Sequence, residues 1–505
     1  MSLPWAEPPV SSLFADEQVL LEVDPGYAGP GVYAPRRPQQ TVLYKLVQDN
    51  LETWLATRRE ACLDDDPIPT YVEKAFRNYL LCGIWAAGLV KYVCPDGCDH
   101  AVFVALSCRT RGLCPSCGAK YMAITAMHLE QHVLPRVGFR QWVISFPKLV
   151  RYFLQRDSRR FRSVLRICMR AIESAIRAGC PDAPAEARVA AVLFSQGFGA
   201  SLNVHHHGHF IVSEGVYALD DAGGLTFYER VDPLDDKAIA ALSETIRKRV
   251  LRHLVRTDRL DADDAAQMLS WQHHGGFSLD ASVYIAHWDR AGLQQLSRYC
   301  ARHPLAKGRL QRAGPQRVIY QLPKPDLNGN SHIVLDPLQV LDRLAELIVP
   351  PRHHRHTYWG ALAPHSALRP FVVLEAGADN DTDDVDGEGV DNQAPTETNP
   401  PPAVVADLLS QGQPAQGQPA ATGSAAKPQQ RPGPGSLVSL WAIMLAKVYE
   451  VLPIICPKCG AEMKPVAVIV DPDSLKRICQ HQGQPPAIPK LAPARDPPQR
   501  HLDFH

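Results

Sequence analysis

Apolar residues at Val42, Leu43, Leu46, Val47, Leu51 and Leu55 recur at helical spacing, which predicts a helix over residues 41–60. The same periodicity predicts helices over 71–81, 158–178, 236–255, 289–302 and 336–348. Strand-like runs fall at 139–146 (FRQWVISF), 189–194 and 204–217. Two shorter β-rich runs, 317–322 and 331–335, flank Asn328-Gly329 and suit a hairpin. The mixture reads as α+β.

Breaks in this pattern divide the chain. Residues 1–40, rich in Pro, Gly and acidic side chains, form a loose leader. Residues 41–130 hold two helices and a Cys-rich module, and 131–375 hold most of the strands and longer helices. The segment 376–435 opens with DNDTDDVDGEGVD and continues in Pro, Gln, Gly and Ala, so it is expected to be a disordered linker. No frame in its acidic run supplies the spaced oxygens, sixth-position glycine and terminal Glu of a calcium loop. Residues 436–505 carry a helix over 437–452 and a Cys pair.

Composition adds limits. At 505 residues the chain exceeds one ordinary core. With 53 basic against 53 acidic residues, any basic surface must be local. No apolar run reaches the roughly 18 residues of a membrane helix, and MSLPWAEPPV lacks the pattern of a signal peptide. The 13 cysteines cluster in C-x-x-C-like pairs, which implies metal binding in a reducing cytoplasm rather than a disulfide framework.

The segment LNVHHHGHFIVSEGVY carries the densest chemistry. In an extended chain alternate side chains share a face, so His205, His207 and His209 point one way and His206 the other. Three same-face imidazoles at the end of a core strand can hold a divalent ion, including Mg2+ or Mn2+ beside oxygen donors. The helical H-E-x-x-H zinc-hydrolase pattern does not fit. Nor does the deaminase pattern, because the strand lacks its Glu.

Downstream the chain reads LQQLSRYCARHPLAKGRLQR. Leu293, Leu296 and Cys300 make an apolar stripe, which places Gln295, Tyr299 and His303 together on a neighbouring face. Arg298, Arg302, Lys307, Arg309 and Arg312 occur here with no acidic residue, a charge suited to DNA phosphates. A tyrosine in that setting can be a covalent nucleophile or a packing residue.

Cys94-x3-Cys98 and Cys114-x2-Cys117 have the spacing of a four-cysteine Zn2+ site, with Cys108 as a substitute ligand. Arg109 and Arg111 beside it could touch DNA. Cys456 and Cys459 form half a site that Cys479 and His481 could complete, or are two packed thiols. Cys62, Cys82, Cys168, Cys180 and Cys300 read as core or incidental residues. The clusters His273-His274 and His353-His354-Arg355-His356 read as solvated or phosphate-facing.

Taken together, His-x-His on a strand followed by R-Y-x-x-R on a helix resembles the HUH endonucleases, and more closely the transposases of the insertion sequence 91 family with one tyrosine. The resemblance takes in VLYKLVQDNLETW, SCRTRGLCPSCGAK, FRQWVISFP, SQGFGASLNVHHHGHFIVSEGVY, LSRYCARHPLAKGRL, YWGALAPHSALR and CPKCGAEM, in the family's order. It implies a central antiparallel-sheet HUH nuclease domain with an N-terminal zinc-binding module. It further implies that His207 and His209 bind the catalytic ion and Tyr299 is the nucleophile. His205, Gln295 or His303 would supply a third ligand. The reaction implied is rolling-circle transposition through a 5′-phosphotyrosine, acting on single-stranded DNA at element ends and on target DNA.

Two positions depart from the family pattern. Gly208 stands where a bulky apolar residue is usual, and Gln295 stands where two-tyrosine members have a second Tyr. A replication initiator or relaxase of the same chemistry, and a zinc-dependent DNA-binding regulator with a decayed site, are the alternatives.

Overall fold

The computed structural model describes residues 37–61, 68–155, 157–220, 222–232, 234–306, 308–326, 328–377 and 455–495. Most of the leader, the linker from residue 378 onward, the 437–452 helix, Cys62 and Lys307 therefore lie outside the described residues. No helix among the described residues is long and apolar enough to cross a membrane.

The chain is a mixture of helices and antiparallel sheets. Its centre is a sheet ordered β13-β4-β5-β3-β8, with β9 also beside β3. The strands are β3 (Phe139–Ser145), β4 (Ala190–Phe198), β5 (Val204–Ser213), β8 (Ser278–Asp280), β9 (Tyr284–Ile285) and β13 (His356–Gly360). Every pairing is antiparallel. Alternation along the strands decides which core each side chain joins. Trp142, Ile144, Leu193, Phe210 and Val212 are buried in one apolar cluster with α5 (Ser158–Ala178) and α6 (Asp236–Arg256). Phe139, Val192, Phe194 and Ile211 are buried in another with α3 (Pro115–His132) and α8 (Arg290–Cys300). The sheet is thus covered on both faces, which is why β5 ends in a run of apolar residues.

The strand expected over 204–217 is interrupted. β5 stops at Ser213, and β6 (Gly215–Leu219) leaves the central sheet to pair with β7 (Leu225–Glu229). Ser213 Oγ donates to the Gly215 carbonyl across the break, and Glu214 pairs with Arg140 of β3. The helix expected over 289–302 ends at Cys300. Pro304 accounts for this, since the residue before a proline disfavours the helical conformation.

A second core unites α1 (Val42–Ala61), α2 (Thr70–Leu80) and α9 (Pro337–Leu347) with the sheet β10-β11-β12 (Leu310–Arg312, Val318–Gln321, His332–Leu335). β11 and β12 form the hairpin expected around Asn328-Gly329, although through a loop from Leu322 to Ser331 rather than a tight turn. The third sheet, β14-β1-β2, joins Leu89–Val93 and Ala101–Ala105 to Lys464–Ile469. Its strands, buried inside Cys-rich sequence, carry no periodic signal long enough to predict. Helix α11 (Pro472–His481) follows, packing Leu475 and Cys479 on Trp85 and Leu89.

Candidate active site

The histidines of β5 divide between the faces as strand geometry requires. His206 turns toward α5, its ring 4.9 Å from that of Phe161 and edge-on. His207 and His209 turn to the opposite face, rings 5.0 Å apart, and both are buried. His207 Nδ1 meets the His205 carbonyl at 2.9 Å, which leaves Nε2 as the available nitrogen. His209 Nδ1 lies 3.0 Å from the side-chain amide of Gln141 on β3, and His209 Nε2 is buried without a hydrogen-bond partner. One ring nitrogen tied and the other unsatisfied is the arrangement of a metal-ligating imidazole.

Electrostatics agrees. Burial, with the charge of Arg302 behind it, pushes His207 down to about 3. Burial, then His207 and Arg302, holds His209 well below the ordinary histidine range. Both are therefore neutral at neutral pH, the form that binds metals.

His205 shares their face at 5.3 Å from His207, but its Nδ1 takes a hydrogen bond from Arg151 Nη1 at 2.6 Å. A guanidinium so close disfavours a second cation at that ring. Among the described residues, groups of three or more His, Cys, Asp or Glu whose donor atoms all lie within 4.8 Å of one another are two cysteine quartets, so the three histidines do not close into such a set.

Tyr299, in the last turn of α8, is brought against His209. Its ring meets His209 edge-on at 5.6 Å and 89°. Arg302, just past the helix end, lies over the Tyr299 ring at 4.9 Å and the Phe198 ring at 5.4 Å. Arg302 Nε donates to Gln196 Oε1 at 3.1 Å, and Gln196 Nε2 donates to the Cys300 carbonyl at 2.7 Å. The guanidinium is thus held in place beside the tyrosine. His303 does not continue the helical face with Gln295 and Tyr299, because α8 has already ended. Its ring packs over Gly118 of α3 and its Nδ1 lies 3.0 Å from the Leu305 carbonyl. Gln295 and Arg298 remain on α8, half-buried.

A cleft of about 270 Å³ opens beside the C-terminal end of α8, its walls including Tyr121, Phe194, Gln196, Arg302, His353 and Arg355. Arg355 lies 4.3 Å over the Tyr121 ring, and its Nη2 donates to the Arg302 carbonyl. Tyr121 Oη and His356 Nδ1 are 2.8 Å apart. The cluster His353-His354-Arg355-His356, which lacks a partner in sequence, therefore joins the site through β13, an edge strand paired with β4. Arg111 donates to the His353 carbonyl at 2.9 Å, and Arg309 to the Gln321 carbonyl at 3.3 Å, while Arg109 is exposed.

The cysteines regroup. One quartet is Cys82, Cys108, Cys114 and Cys117; the other is Cys94, Cys98, Cys456 and Cys459. The set expected from sequence, Cys94, Cys98, Cys114 and Cys117, is thus split between two. The β1–β2 hairpin is the reason. Cys94 and Cys98 sit in its turn, whereas Cys82 lies near its base, where Gly83 N bonds to the Leu106 carbonyl. Five-residue strands hold tip and base roughly 16 Å apart. Cys82, read as core or incidental, belongs to the first quartet, as does Cys108, the expected substitute ligand. Tetrahedral zinc with Zn–S of about 2.3 Å sets its sulfurs about 3.8 Å apart. Sulfur separations of 3.7, 3.7 and 3.6 Å in the first quartet match this spacing. Cys479 completes neither quartet and is buried with Leu475, Trp85 and Leu89.

Two family models match the chain. Residues 191–369 match one described as "Putative transposase", and residues 50–146 match the "Transposase zinc-binding domain" of insertion sequence 91. The chain belongs to the insertion sequence 91 family of transposases. No curated protein and no solved structure matches it. A transposase acts on DNA, cutting and transferring strands, and the zinc-binding domain with its cysteine clusters supports structural Zn2+. The first quartet falls wholly inside the zinc-binding match, and β5, α8, β13 and all of β4 but Ala190 fall inside the transposase match.

Sequence reasoning passed over Gln141 and Gln196 in this transposase and read Cys82 as core or incidental. The glutamines carry no local signal, since their partners lie on other elements. Cys82 had one: Cys82-Gly83 and Cys459-Gly460 are both Cys-Gly steps, and both glycines adopt positive φ, at 77° and 76°. Only glycine takes that conformation without cost, as a tight ligand turn requires.

Proposed function

We propose that this transposase is a single-tyrosine HUH-type enzyme that nicks and rejoins single-stranded DNA in rolling-circle transposition. The observation that carries the reading is the contact of Tyr299 with His209, whose Nε2 is buried and unsatisfied. His207 and His209 would hold Mg2+ or Mn2+, with the Gln141 amide oriented so that its Oε1 accepts from His209 Nδ1–H, which leaves His209 Nε2 unprotonated for the ion. A bound ion supplies Lewis-acid polarisation of the scissile phosphate.

Tyr299 Oη attacks phosphorus in line, and its proton passes to solvent. The O–P bond to tyrosine forms as the bond from phosphorus to the 3′-oxygen breaks. That oxygen leaves, takes up a proton and becomes a free 3′-hydroxyl, while the 5′-phosphate stays on Tyr299. The phosphodiester energy is kept in the covalent link, and reversal with another 3′-hydroxyl transfers the strand. Arg302, held over Tyr299 by Gln196, meets the charge on the phosphate oxygens. The cleft lined by Tyr121, Phe194 and arginines suits an unpaired base stacked on an aromatic ring with its backbone on guanidinium groups. In the zinc-binding domain, Cys82, Cys108, Cys114 and Cys117 would hold a structural Zn2+. The loop they brace touches the cleft wall through Arg111 and the His353 carbonyl.

The test mixes wild type and Tyr299→Phe with labelled single-stranded DNA from the element end and Mg2+ or Mn2+, and reads DNA-linked protein on a denaturing gel. A metal-dependent adduct that disappears in the variant supports the reading. Wild-type binding to that DNA without an adduct in either metal favours a DNA-binding regulator.

A further inference from the structure

We propose that Cys94, Cys98, Cys456 and Cys459 form a second Zn2+ site, separate from the first quartet and independent of the nicking reading, which fastens the C-terminal segment to the N-terminal hairpin. The four sulfurs all lie within 4.8 Å of one another, and Cys94 Sγ is 3.4 Å from Cys459 Sγ across 365 residues of sequence. That separation is far too long for a disulfide, whose sulfurs stand about 2.05 Å apart. It is close to the separation that tetrahedral zinc imposes.

The surroundings are those of two facing ligand turns. Cys94 and Cys98 occupy the turn between β1 and β2. Cys456 and Cys459 occupy a second turn just before β14, closed by Gly460 N to the Cys456 carbonyl at 2.9 Å and Cys456 N to the Ala461 carbonyl at 2.8 Å. Lys458 Nζ donates to the Cys98 carbonyl at 3.0 Å, joining one turn to the other. β14 then runs antiparallel to β1, from Lys464 opposite Val93 to Ile469 opposite Leu89. Two cysteine turns above a three-stranded sheet can enclose one tetrahedral ion.

Packing alone is thin here. The buried cluster beneath the quartet is Tyr92, Cys94, Val104, Cys456 and Met463, and Val466 and Val468 of β14 are 55% and 46% exposed. So small a core rarely holds a strand without a metal or other covalent staple. Cys456 and Cys459 lie outside both family matches, so the C-terminal half of this site is supplied by sequence that neither match covers.

The full chain is equilibrated with Zn2+ and desalted, zinc is counted per chain, and alkylation under native conditions with mass spectrometry reads which cysteines are shielded. Two zinc ions are expected, with Cys94, Cys98, Cys456 and Cys459 shielded as a group. Cys456→Ser with Cys459→Ser lowers the count to one and exposes Cys94 and Cys98, while Cys108 and Cys117 stay shielded. Cys459→His, which keeps a ligand, retains two. If the serine variant fails to fold, the wild-type count and shielding pattern decide. One zinc per wild-type chain with Cys456 and Cys459 freely alkylated overturns the proposal. So does an intact mass lower by four hydrogens with no second metal, which would mean disulfides.

Discussion

The ring of Tyr299 stands edge-on to that of His209, with centroids 5.6 Å apart and planes at 89°. The two come from different elements, the last turn of α8 and the middle of β5, and meet because α8 covers the sheet face to which His209 points. Gln141, from the neighbouring strand β3, holds the far side of the same imidazole. This three-residue arrangement leads to the first prediction.

Gln141→Leu should weaken Mn2+ binding by about 10–100-fold, the usual effect of removing a group that orients a ligating histidine. Gln141→Glu, which can still accept from Nδ1–H, should recover most of it. Calorimetric titration of Mn2+ checks both. Equal binding by wild type and Gln141→Leu would remove Gln141 from a positioning role.

Arg302→Lys keeps the charge but loses the planar group that lies over Tyr299 and Phe198 and bonds Gln196. Adduct formation with single-stranded DNA should slow about 100-fold, with a much smaller change in DNA affinity. Single-turnover rates and binding isotherms separate the two effects. A loss confined to affinity would make Arg302 a simple phosphate anchor.

Gly208 stands between His207 and His209 where the sequence comparison leads one to expect a bulky residue, and packing supplies the reason. A Cβ there would stand 2.7 Å from Leu165 Cδ2 of α5 and 3.2 Å from the Phe210 ring. Leu165 fills the volume that a side chain at 208 would occupy. Gly208→Val should therefore cost about 1–3 kcal/mol in denaturant unfolding, and Leu165→Ala should relieve part of that loss. Absence of any coupling between the two sites would contradict this account.

Acid should destabilise the protein before its carboxylates titrate. Burial pushes His205, His206 and His356 down to about 4, and His207 and His303 to about 3, each from 6.5. All five are neutral in both folded and unfolded chains above 6.5, so they cost nothing there. As pH falls below 6.5 the unfolded chain binds their protons first, and stability declines until the folded values are reached, by about 1.4 kcal/mol per site per pH unit at most. Unfolding midpoints measured from pH 7.5 to 5 should drop steadily. A flat profile would mean these rings are accessible and charged in the native state.

Much of this protein was legible along the chain because it depends on short-range periodicity. Alternation on β5 determines that His207 and His209 share a face and that His206 opposes them. Helical spacing locates Tyr299 and the arginines after it, and the Cys turns announce metal chemistry. What the chain alone could not decide is which distant elements share a boundary. Cys94 and Cys98 were bound to look like partners of Cys114 and Cys117, since those are nearest in sequence, but a rigid hairpin separates them and β14 delivers Cys456 and Cys459 instead. Gln141 joined His209, and Arg355 joined Arg302, only once β3, β13 and α8 were assembled on one sheet. Local pattern depends on backbone geometry over a few residues. The closing of a site depends on which faces the packed cores bury, and that is settled only by the whole tertiary structure.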